Sequence, residues 1–301
     1  MPLMEKCILI DGSGLIYRGF YAVPPFIKSP TGVQTNAVFG FTNILLSLLS
    51  VRTPTYMAVA FDKKGPTFRH KEYKEYKATR VKAPQELYDQ IPLVKEMVKT
   101  FGIPSFEVEG FEADDILATI VKLLPKSGNE TLIATGDFDM FQIATEHVSM
   151  LYPAKSFKEA VVLAPKDIQA KYGITPGQIP DYKGLAGDHS DNIPGVRGIG
   201  EKGAVDLLQK YSTLENIYQH LSELSDSLRK KLEESKENAF MSKRLATLDD
   251  NVPLDFSLNE CRVKHFDVDA LRQAFSELGF KSLQKRLDEL YGTKTTQGAL
   301  F

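Results

Sequence analysis

The stretch GFEADDILATIVKLLPKSGNETLIATGD, from Gly110 to Asp137, decides the fold. Its middle places apolar residues at helical spacing and predicts a helix over 114–124, and its end predicts a β-strand over 130–137. Further strands are predicted at 6–11, 55–62 and 104–110, and further helices at 36–51 and 84–101. Strands that alternate with helices predict an α/β fold, in which a mostly parallel central sheet is flanked by helices on both faces.

Three of the predicted strands end in an aspartate, namely Asp11, Asp62 and Asp137. A single aspartate at such a place would be interpreted as a turn former or a helix cap. In parallel sheets, however, ligands bind outside the carboxyl ends of the strands. We therefore expect these three side chains to converge on one functional edge of the sheet.

The chain carries more carboxylates near this edge than helix capping requires. Three of them lie within four positions where the helix over 114–124 begins, and such close charges raise one another's pKa unless cations neutralise them. Oxygen ligands without Cys or His favour Mg²⁺, with Mn²⁺ as a substitute, and two such ions roughly 4 Å apart can clamp a phosphodiester. The candidate metal ligands are Asp11, Asp62, Glu112, Asp114, Asp115, Asp137, Asp139, Asp188 and Asp191.

A basic segment, residues 63–82, directly follows Asp62. It mixes Lys and Arg side chains, Arg69 among them, with the aromatic residues Phe68, Tyr73 and Tyr76. A run of charge is usually a solvated surface. The mixture of cations and rings nevertheless favours single-stranded nucleic acid, since cations contact phosphates and rings stack on bases.

The second half of the chain is predicted to be mostly helical, with helices at about 213–220, 226–246, 267–278 and 281–290. Before them, PGVRGIGEKGA places Gly195, Gly198 and Gly200 beside Lys202, as in a helix–hairpin–helix. The glycines permit a tight turn whose N–H groups can hold a DNA phosphate. The same spacing fits a nucleotide loop, but such a loop should follow a strand, and this stretch does not.

The composition is that of a water-soluble globular protein: 301 residues, 43% hydrophobic, with a net charge of −2. Two cysteines, Cys7 and Cys261, offer neither a disulfide framework nor a zinc spacing. The apolar run FTNILLSLLS is shorter than the roughly 20 residues of a membrane span, and the N-terminus shows no signal peptide. We expect a cytoplasmic, nucleoid-associated protein with no membrane partner.

The motifs taken together resemble the bacterial 5′ nuclease family, which comprises the 5′→3′ exonuclease domain of DNA polymerase I and free-standing flap endonucleases. The matching stretches are LIDGSGLIYRGFYA, TNAVFGFTNILL, AFDKKGPTFRHKEYKEYKATR, EADDILA, TGDFDMFQI and GLAGDHSDNIPGVRGIGEKGA. The resemblance implies a monomeric, metal-dependent enzyme. Its substrate would be DNA with a 5′ flap or a 5′ single-stranded end, and its role would be Okazaki-fragment processing and repair.

The resemblance also implies roles for single residues. The basic segment would form a helical arch over about 63–90, in which Lys77 and Arg80 face the scissile phosphate as catalytic cations. Tyr17 and Tyr76 would stack on bases, and the hairpin over about 187–210 would bind K⁺ and grip duplex DNA. Phe138 departs from the pattern, because the family usually has Lys between the two aspartates of this motif, and a contact to DNA or to a neighbouring acid is expected to change.

The resemblance implies an organisation into a nuclease (PIN-like) domain over 1–172, a helical DNA-binding subdomain over 173–291 and a tail over 292–301. In the tail, Gln297, Leu300 and Phe301 resemble the bacterial sliding-clamp-binding pentapeptide. The chain is then either a free-standing nuclease or the nuclease fragment of a DNA polymerase I. Two other functions stay open: a catalytically weak protein that binds DNA structures, and an RNase of a related metal-dependent fold.

Overall fold

A computed structural model describes residues 5–125, 129–153, 157–264 and 266–291. Its centre is a six-stranded sheet of order β3-β2-β1-β4-β5-β6. The strands are β1 (Glu5–Asp11), β2 (Tyr56–Ala60), β3 (Ser105–Phe106), β4 (Asn129–Ala134), β5 (Val148–Tyr152) and β6 (Val161–Leu163). All neighbours pair in parallel except β5 and β6. The predicted α/β fold with a mostly parallel sheet is confirmed.

Fourteen α-helices accompany the sheet in the described part of the chain. Those of the first half are α1 (Gly12–Ala22), α2 (Asn36–Arg52), α3 (Phe68–Glu72), α4 (Gln85–Tyr88), α5 (Ile91–Thr100) and α6 (Ala113–Leu123). Those of the second half are α7 (Pro165–Tyr172), α8 (Ile179–Ala186), α9 (Glu201–Tyr211), α10 (Leu214–Gln219), α11 (Asp226–Glu234), α12 (Lys236–Ala246), α13 (Val268–Glu277) and α14 (Lys281–Tyr291). None of the described helices is both long and apolar enough to cross a membrane.

Alternate residues of the strands contribute side chains to two hydrophobic cores, one on each face of the sheet. Ile8 and Ile10 of β1 pack with α1, α2, α5, α13 and α14 on one face. Cys7 and Leu9 pack on the other face with α6 and with the helices α7 to α12. Because both faces are covered, the central residues of β1, β2 and β4 are mostly apolar, and the carboxyl ends of the strands are left as the accessible edge.

The packing of α1 against α2 depends on two glycines. A Cβ atom on Gly40 would lie 2.6 Å from the Cα of Gly19, so the two helix backbones touch at this crossing. This contact fixes α1, which begins directly after Asp11, against the body of the domain. The sequence analysis predicts no helix at 12–22, because its three glycines lower the helical propensity.

Several predicted elements are shorter than expected. The strand predicted at 104–110 forms only over Ser105–Phe106, and the helix predicted at 84–101 is divided into α4 and α5. The helix predicted at 226–246 is likewise divided into α11 and α12 at Ser235. Strands β5 and β6 were not predicted.

The segment predicted as a helical arch, about 63–90, is helical in two short parts. Those parts are α3 and α4; between them residues 74–79 form turns, and residues 80–84 have no regular secondary structure. Lys71, Lys74 and Lys77 would repel one another at i,i+3 spacing on a helix. Lys77 instead adopts a left-handed backbone conformation, with φ of 57°.

Candidate metal centre

Five of the nine predicted acids line one cavity at the carboxyl edge of the sheet. The cavity has a volume of about 200 Å³, and its acids are Asp11, Asp62, Glu112, Asp114 and Asp137. They come from the ends of β1 and β2, from the beginning of α6 and from the loop after β4. The expected convergence of the strand-end aspartates is therefore seen in the structure.

Asp11 has a double role at the base of this cavity. Its Oδ1 accepts a hydrogen bond of 2.8 Å from the N–H of Gly14 and caps α1, so the helix-cap interpretation is also correct. Its Oδ2 accepts a hydrogen bond of 3.0 Å from the Thr135 hydroxyl. The Thr135 hydroxyl also accepts one of 3.0 Å from the N–H of Asp137. Thr135 thus ties two strand ends together, a role that no sequence pattern indicated.

The acids of the cavity carry unbalanced negative charge. Burial, followed by repulsion from Asp62 and Asp137, raises the pKa of Asp11 to about 7. Burial, and repulsion led by Asp11, also raises the pKa of Asp114 well above its ordinary value. An all-oxygen donor set under such repulsion fits a hard divalent cation, whose charge would offset the repulsion among the carboxylates.

A second group of acids lies beside the cavity. Asp139, Asp188 and Asp191 place ligand oxygens within 4.8 Å of one another. The Oδ1 atom of Asp139 is buried and forms an ion pair with the ammonium of Lys183. Burial, with repulsion from Asp137 and Asp188, raises the pKa of Asp139 to about 7 even though Lys183 opposes the shift. This group therefore also fits a hard cation.

Lys183 is the functional residue that the sequence analysis missed. It is 6% exposed, and its ammonium forms ion pairs with both Asp139 and Asp188. Burial lowers its pKa, but the two carboxylates outweigh that effect and raise it. Lys183 shares the buried face of α8 with Ile179, and a lysine at such an apolar position was the available signal.

Lys183 also explains why Phe138 stands where the family usually has Lys. Phe138 is half-buried and packs edge-on against Tyr172, with ring centroids 4.9 Å apart. The Lys183 ammonium lies 6.0 Å from the centroid of the Phe138 ring. The cation beside Asp139 is thus supplied by α8 and not by position 138.

Asp115 is not placed as a metal ligand, and this prediction is corrected. Its side chain is fully buried, and its two oxygens accept hydrogen bonds of 2.7 Å each from Arg69. The N–H groups of Asp249 and Glu112 donate to the same carboxylate at 2.9 and 3.1 Å. Asp115 therefore ties α6 to α3 and to the chain after α12.

Arg69 and Tyr76 do not face a binding surface, contrary to their predicted contacts with DNA. Arg69 is 1% exposed, and besides Asp115 it donates to the carbonyl of Leu245 at 2.8 Å. Tyr76 is 3% exposed, and its hydroxyl lies 3.0 Å from Asp191 and 3.2 Å from Glu112. Tyr17, in contrast, is 40% exposed at the rim of the cavity and remains able to stack on a base.

The two predicted catalytic cations stand between the two acidic groups. Lys77 lies 2.9 Å from Glu112 and 3.9 Å from Asp191, and Arg80 forms an ion pair with Asp191. Burial lowers the pKa of each, but these carboxylates more than compensate and raise it. Both side chains line the carboxylate cavity, so each is placed to meet an anionic group that enters it.

The predicted hairpin lies between α8 and α9, next to the second acidic group. Gly195 has φ of 62°, and a Cβ there would lie 2.3 Å from the nitrogen of Gly187. The N–H of Gly195 donates to Ser242 at 3.0 Å, so Gly195 shapes the turn and its N–H is not available to a phosphate as predicted. Gly198, Gly200 and Lys202 are exposed where α9 begins, as a phosphate contact requires.

Gln297, Leu300 and Phe301, the predicted clamp-binding residues, lie outside the described residues.

Comparisons with known families match almost the whole chain. A profile described as "5'-3' exonuclease, N-terminal resolvase-like domain" matches residues 6–173. A second, described as "5'-3' exonuclease, C-terminal SAM fold", matches residues 174–269. The boundary between the two matches lies directly after α7, before α8 and the hairpin region.

Two curated relatives illustrate the range of similar proteins. DNA polymerase I of Caldicellulosiruptor bescii is 43% identical over 284 residues, which cover 94% of this chain and 33% of the polymerase. The 5'-3' exonuclease of Aquifex aeolicus is 35% identical over 298 residues, which cover 99% of this chain and all of that protein. The chain thus spans about a third of the length of the polymerase relatives.

Solved structures share the fold at low sequence identity. T5 5'-exonuclease, solved with bound divalent metal ions (zinc), has a TM-score of 0.69 and 22% identity, with 95% of this chain and 99% of that one covered. The catalytic core of Rad2 in complex with DNA substrate has a TM-score of 0.64 and 21% identity, with 96% and 92% covered.

Proposed function

The chain belongs to the 5'-3' exonuclease family, and from this membership we propose that it hydrolyses DNA phosphodiesters at 5′ flaps and 5′ ends. The observation that carries the proposal is the carboxylate cavity at the edge of the sheet, faced by Lys77 and Arg80. Acids and cations arranged in this way suit a phosphodiester, whose charge must be neutralised while it is cut. Okazaki-fragment processing and repair in the cytoplasm are the processes that need this reaction.

We assign the resident cofactor as Mg²⁺, replaceable by Mn²⁺. Asp11, Glu112, Asp114 and Asp137 would hold one ion, with Asp62 at the edge of the same cavity. Asp139, Asp188 and Asp191 would hold another. Two bound ions would activate water and balance the charge of the phosphate.

The protein's own cations prepare the site for the substrate. Lys77 and Arg80 are held by Glu112 and Asp191 above the cavity, at the place where a phosphate would enter. A metal held by Glu112 and Asp191 would leave both side chains available to donate to phosphate oxygens and to stabilise the negative charge of the transition state. Tyr17 at the rim would stack on a neighbouring base.

The region after residue 172 is proposed as the part that grips the duplex. The exposed beginning of α9, with Gly198, Gly200 and Lys202, offers N–H groups and one cation to a DNA phosphate. A K⁺ ion bound at this turn would add a positive charge there. Since phosphate contacts carry no sequence information, this grip favours selection by DNA structure.

Cleavage of a 5′-labelled flap duplex tests the proposal. We expect release of the flap near its junction in Mg²⁺, none in EDTA, and at least a hundredfold slower release by Asp114→Asn, as is typical for loss of a key electrostatic group. Tight binding without cleavage would leave a DNA-structure-binding protein instead. Faster cutting of single-stranded RNA than of flap DNA would favour an RNase.

We further propose that the protein acts as a monomer and that the tail binds the bacterial sliding clamp. The support is the order of Gln297, Leu300 and Phe301 in the sequence. Clamp retention by the wild type, lost in Leu300→Ala and Phe301→Ala, is the expected result of a pull-down. Equal retention by all three proteins would contradict the assignment.

A further inference from the structure

A short 3₁₀ helix, Asp139–Ile143, carries one acid of the second acidic group. Its fourth residue, Gln142, is half-buried, and its side chain makes three hydrogen bonds with the backbone. The Nε2 atom donates to the carbonyl of Asp139 at 2.9 Å and to that of Ala246 at 3.0 Å. The Oε1 atom accepts from the N–H of Leu248 at 3.0 Å. Gln142 therefore fastens the backbone of Asp139 to the end of α12.

The chain at the end of α12, residues 245–249, forms hydrogen bonds on two sides, and we call it the support segment. The last carbonyls of a helix have no partner within the helix, so they need acceptor contacts from elsewhere. The carbonyls of Leu245 and Thr247 accept hydrogen bonds of 2.8 and 3.2 Å from Arg69. Positions 246 and 248, which alternate with these two, bond instead to Gln142. The support segment thus holds two side chains from different parts of the fold.

Arg69 connects the support segment to the carboxylate cavity. Besides its two hydrogen bonds to Asp115, its guanidinium lies 3.7 Å from Glu112, an acid of the cavity. Asp115 in turn accepts from the N–H of Glu112 at 3.1 Å and from the N–H of Asp249 at 2.9 Å. The beginning of α6, which supplies acids to the cavity, is therefore bound to the same segment that Gln142 contacts.

The spacing of the two acidic groups matters for the proposed reaction. Two ions that clamp one phosphodiester lie roughly 4 Å apart, and a misplacement of about 1 Å can slow a reaction roughly a hundredfold. The acids come from separate elements, Glu112 from the beginning of α6 and Asp139 from the 3₁₀ helix after β4. Because the support segment bonds to both elements, it fixes the distance between them.

We infer that the support segment holds both acidic groups in register and that Gln142 is the positioning residue that keeps Asp139 on it. The inference rests on the proposed function and specifies how this chain sets the spacing of its two groups. Gln142 acts through the backbone of Asp139 and does not itself contact metal or DNA. Loss of such an outer partner typically lowers metal affinity or activity by about 10- to 100-fold.

Mn²⁺ titration followed by electron paramagnetic resonance tests the inference without catalysis. Gln142→Met keeps the length of the side chain and removes its three hydrogen bonds. Ions at the second acidic group are identified as those whose binding is lost in Asp188→Asn. We expect Gln142→Met to weaken binding of these ions at least about tenfold and to change binding in the carboxylate cavity by less than about threefold.

Gln90→Met is the matched control for the loss of stability. Gln90 is buried, and its Oε1 accepts from the N–H of Ala37 at 2.8 Å. Its Nε2 donates to the carbonyl of Glu86 at 2.9 Å and to the side chain of Asn36 at 3.1 Å. These bonds fasten the beginning of α2, which packs on the opposite face of the sheet. Gln90→Met should lower Tm at least as much as Gln142→Met and leave Mn²⁺ binding unchanged.

Two results would overturn the inference. One is Mn²⁺ binding by Gln142→Met equal to that of the wild type, and the other is an equal loss of affinity in Gln90→Met. If Gln142→Met does not fold, the wild type decides by nuclear magnetic resonance: Mg²⁺ should shift the side-chain amide signals of Gln142 and not those of Gln90, and unmoved Gln142 signals would reject the role. Flap cleavage by the wild type is measured separately, and an active enzyme whose metal binding is insensitive to Gln142 would leave the proposed function intact.

Discussion

Asp114 and Asp115, adjacent at the beginning of α6, should differ in how substitution by Asn changes the stability of the protein. Asp115 is fully buried and accepts four hydrogen bonds, two of them from buried Arg69. Asp115→Asn removes the charge that balances Arg69, and breaking a buried pair from one side costs about 3–5 kcal/mol. Asp114→Asn instead removes a charge that Asp11, Asp137 and Asp62 repel.

The expected shifts follow from these environments. An unfolding entropy of about 2 cal/mol/K per residue converts 4 kcal/mol into a decrease of about 6 °C in Tm for a chain of this length. In EDTA, Asp115→Asn should show this loss, and Asp114→Asn should melt at the wild-type temperature or above it. Differential scanning calorimetry measures both, and urea unfolding gives the free energies independently.

Metal binding separates the two roles in the same pair of variants. At a temperature at which both are folded, Mn²⁺ titration followed by electron paramagnetic resonance should show weaker binding for Asp114→Asn and near-normal binding for Asp115→Asn. If Asp115→Asn keeps its Tm but loses Mn²⁺ affinity as Asp114→Asn does, Asp115 is a metal ligand and the structural role assigned to it is incorrect.

Three further predictions concern Lys183, pH and the hairpin. In EDTA, Lys183→Met should lower Tm because Asp139 and Asp188 lose their shared cation. Mg²⁺ should then raise the Tm of the variant more than that of the wild type. An equal or smaller metal-induced rise in Tm would contradict this prediction. The folded-state pKa values of Asp11 and Asp139, about 7, lie above the ordinary value, so both acids favour the folded state below about pH 4 and lose that contribution as pH rises through 7. Tm in EDTA should therefore be higher at pH 5 than at pH 8, and excess Mg²⁺ should reverse the order; a flat profile in EDTA would argue against it. In urea unfolding, Gly195→Ala should destabilise the chain by roughly 1–3 kcal/mol. Gly200→Ala, where a Cβ meets nothing within 4 Å, is the control and should be nearly neutral. Equal effects of the two substitutions would mean that the turn adapts.

The sequence predicted the edge of the sheet more reliably than the partners of single side chains. Strand-end aspartates converge because a parallel sheet places the carboxyl ends of its strands together, and Asp11, Asp62 and Asp137 needed no further information. Neighbouring Asp114 and Asp115 point in different directions from α6, and no spacing rule says which direction is buried. The difference depends on Arg69, which comes from a segment 46 residues away in the sequence.

The pattern of basic residues gave a wrong prediction where a cation stabilises the fold and does not contact DNA. The basic segment was interpreted as a surface for nucleic acid, yet Arg69 is buried within it and Tyr76 is held under Lys77. Strands β5 and β6 were missed for a different reason, since they are short and follow turns without strong signals. In both cases tertiary contacts decide the outcome, and they are not visible in a local pattern.

The two acidic groups differ in how many of their carboxylates are paired with a lysine or an arginine of the protein. The group of Asp139, Asp188 and Asp191 has Lys183 between two of its acids and Arg80 on the third. In the cavity of five acids, Lys77 and Arg69 both pair with Glu112, and the other four lining carboxylates form no ion pair with any described residue. An ion bound in the cavity relieves repulsion directly, whereas one bound at the second group must first displace an ammonium or a guanidinium. We therefore expect the cavity to be the stronger metal site and the second group to be held together by the protein's own cations in the absence of metal.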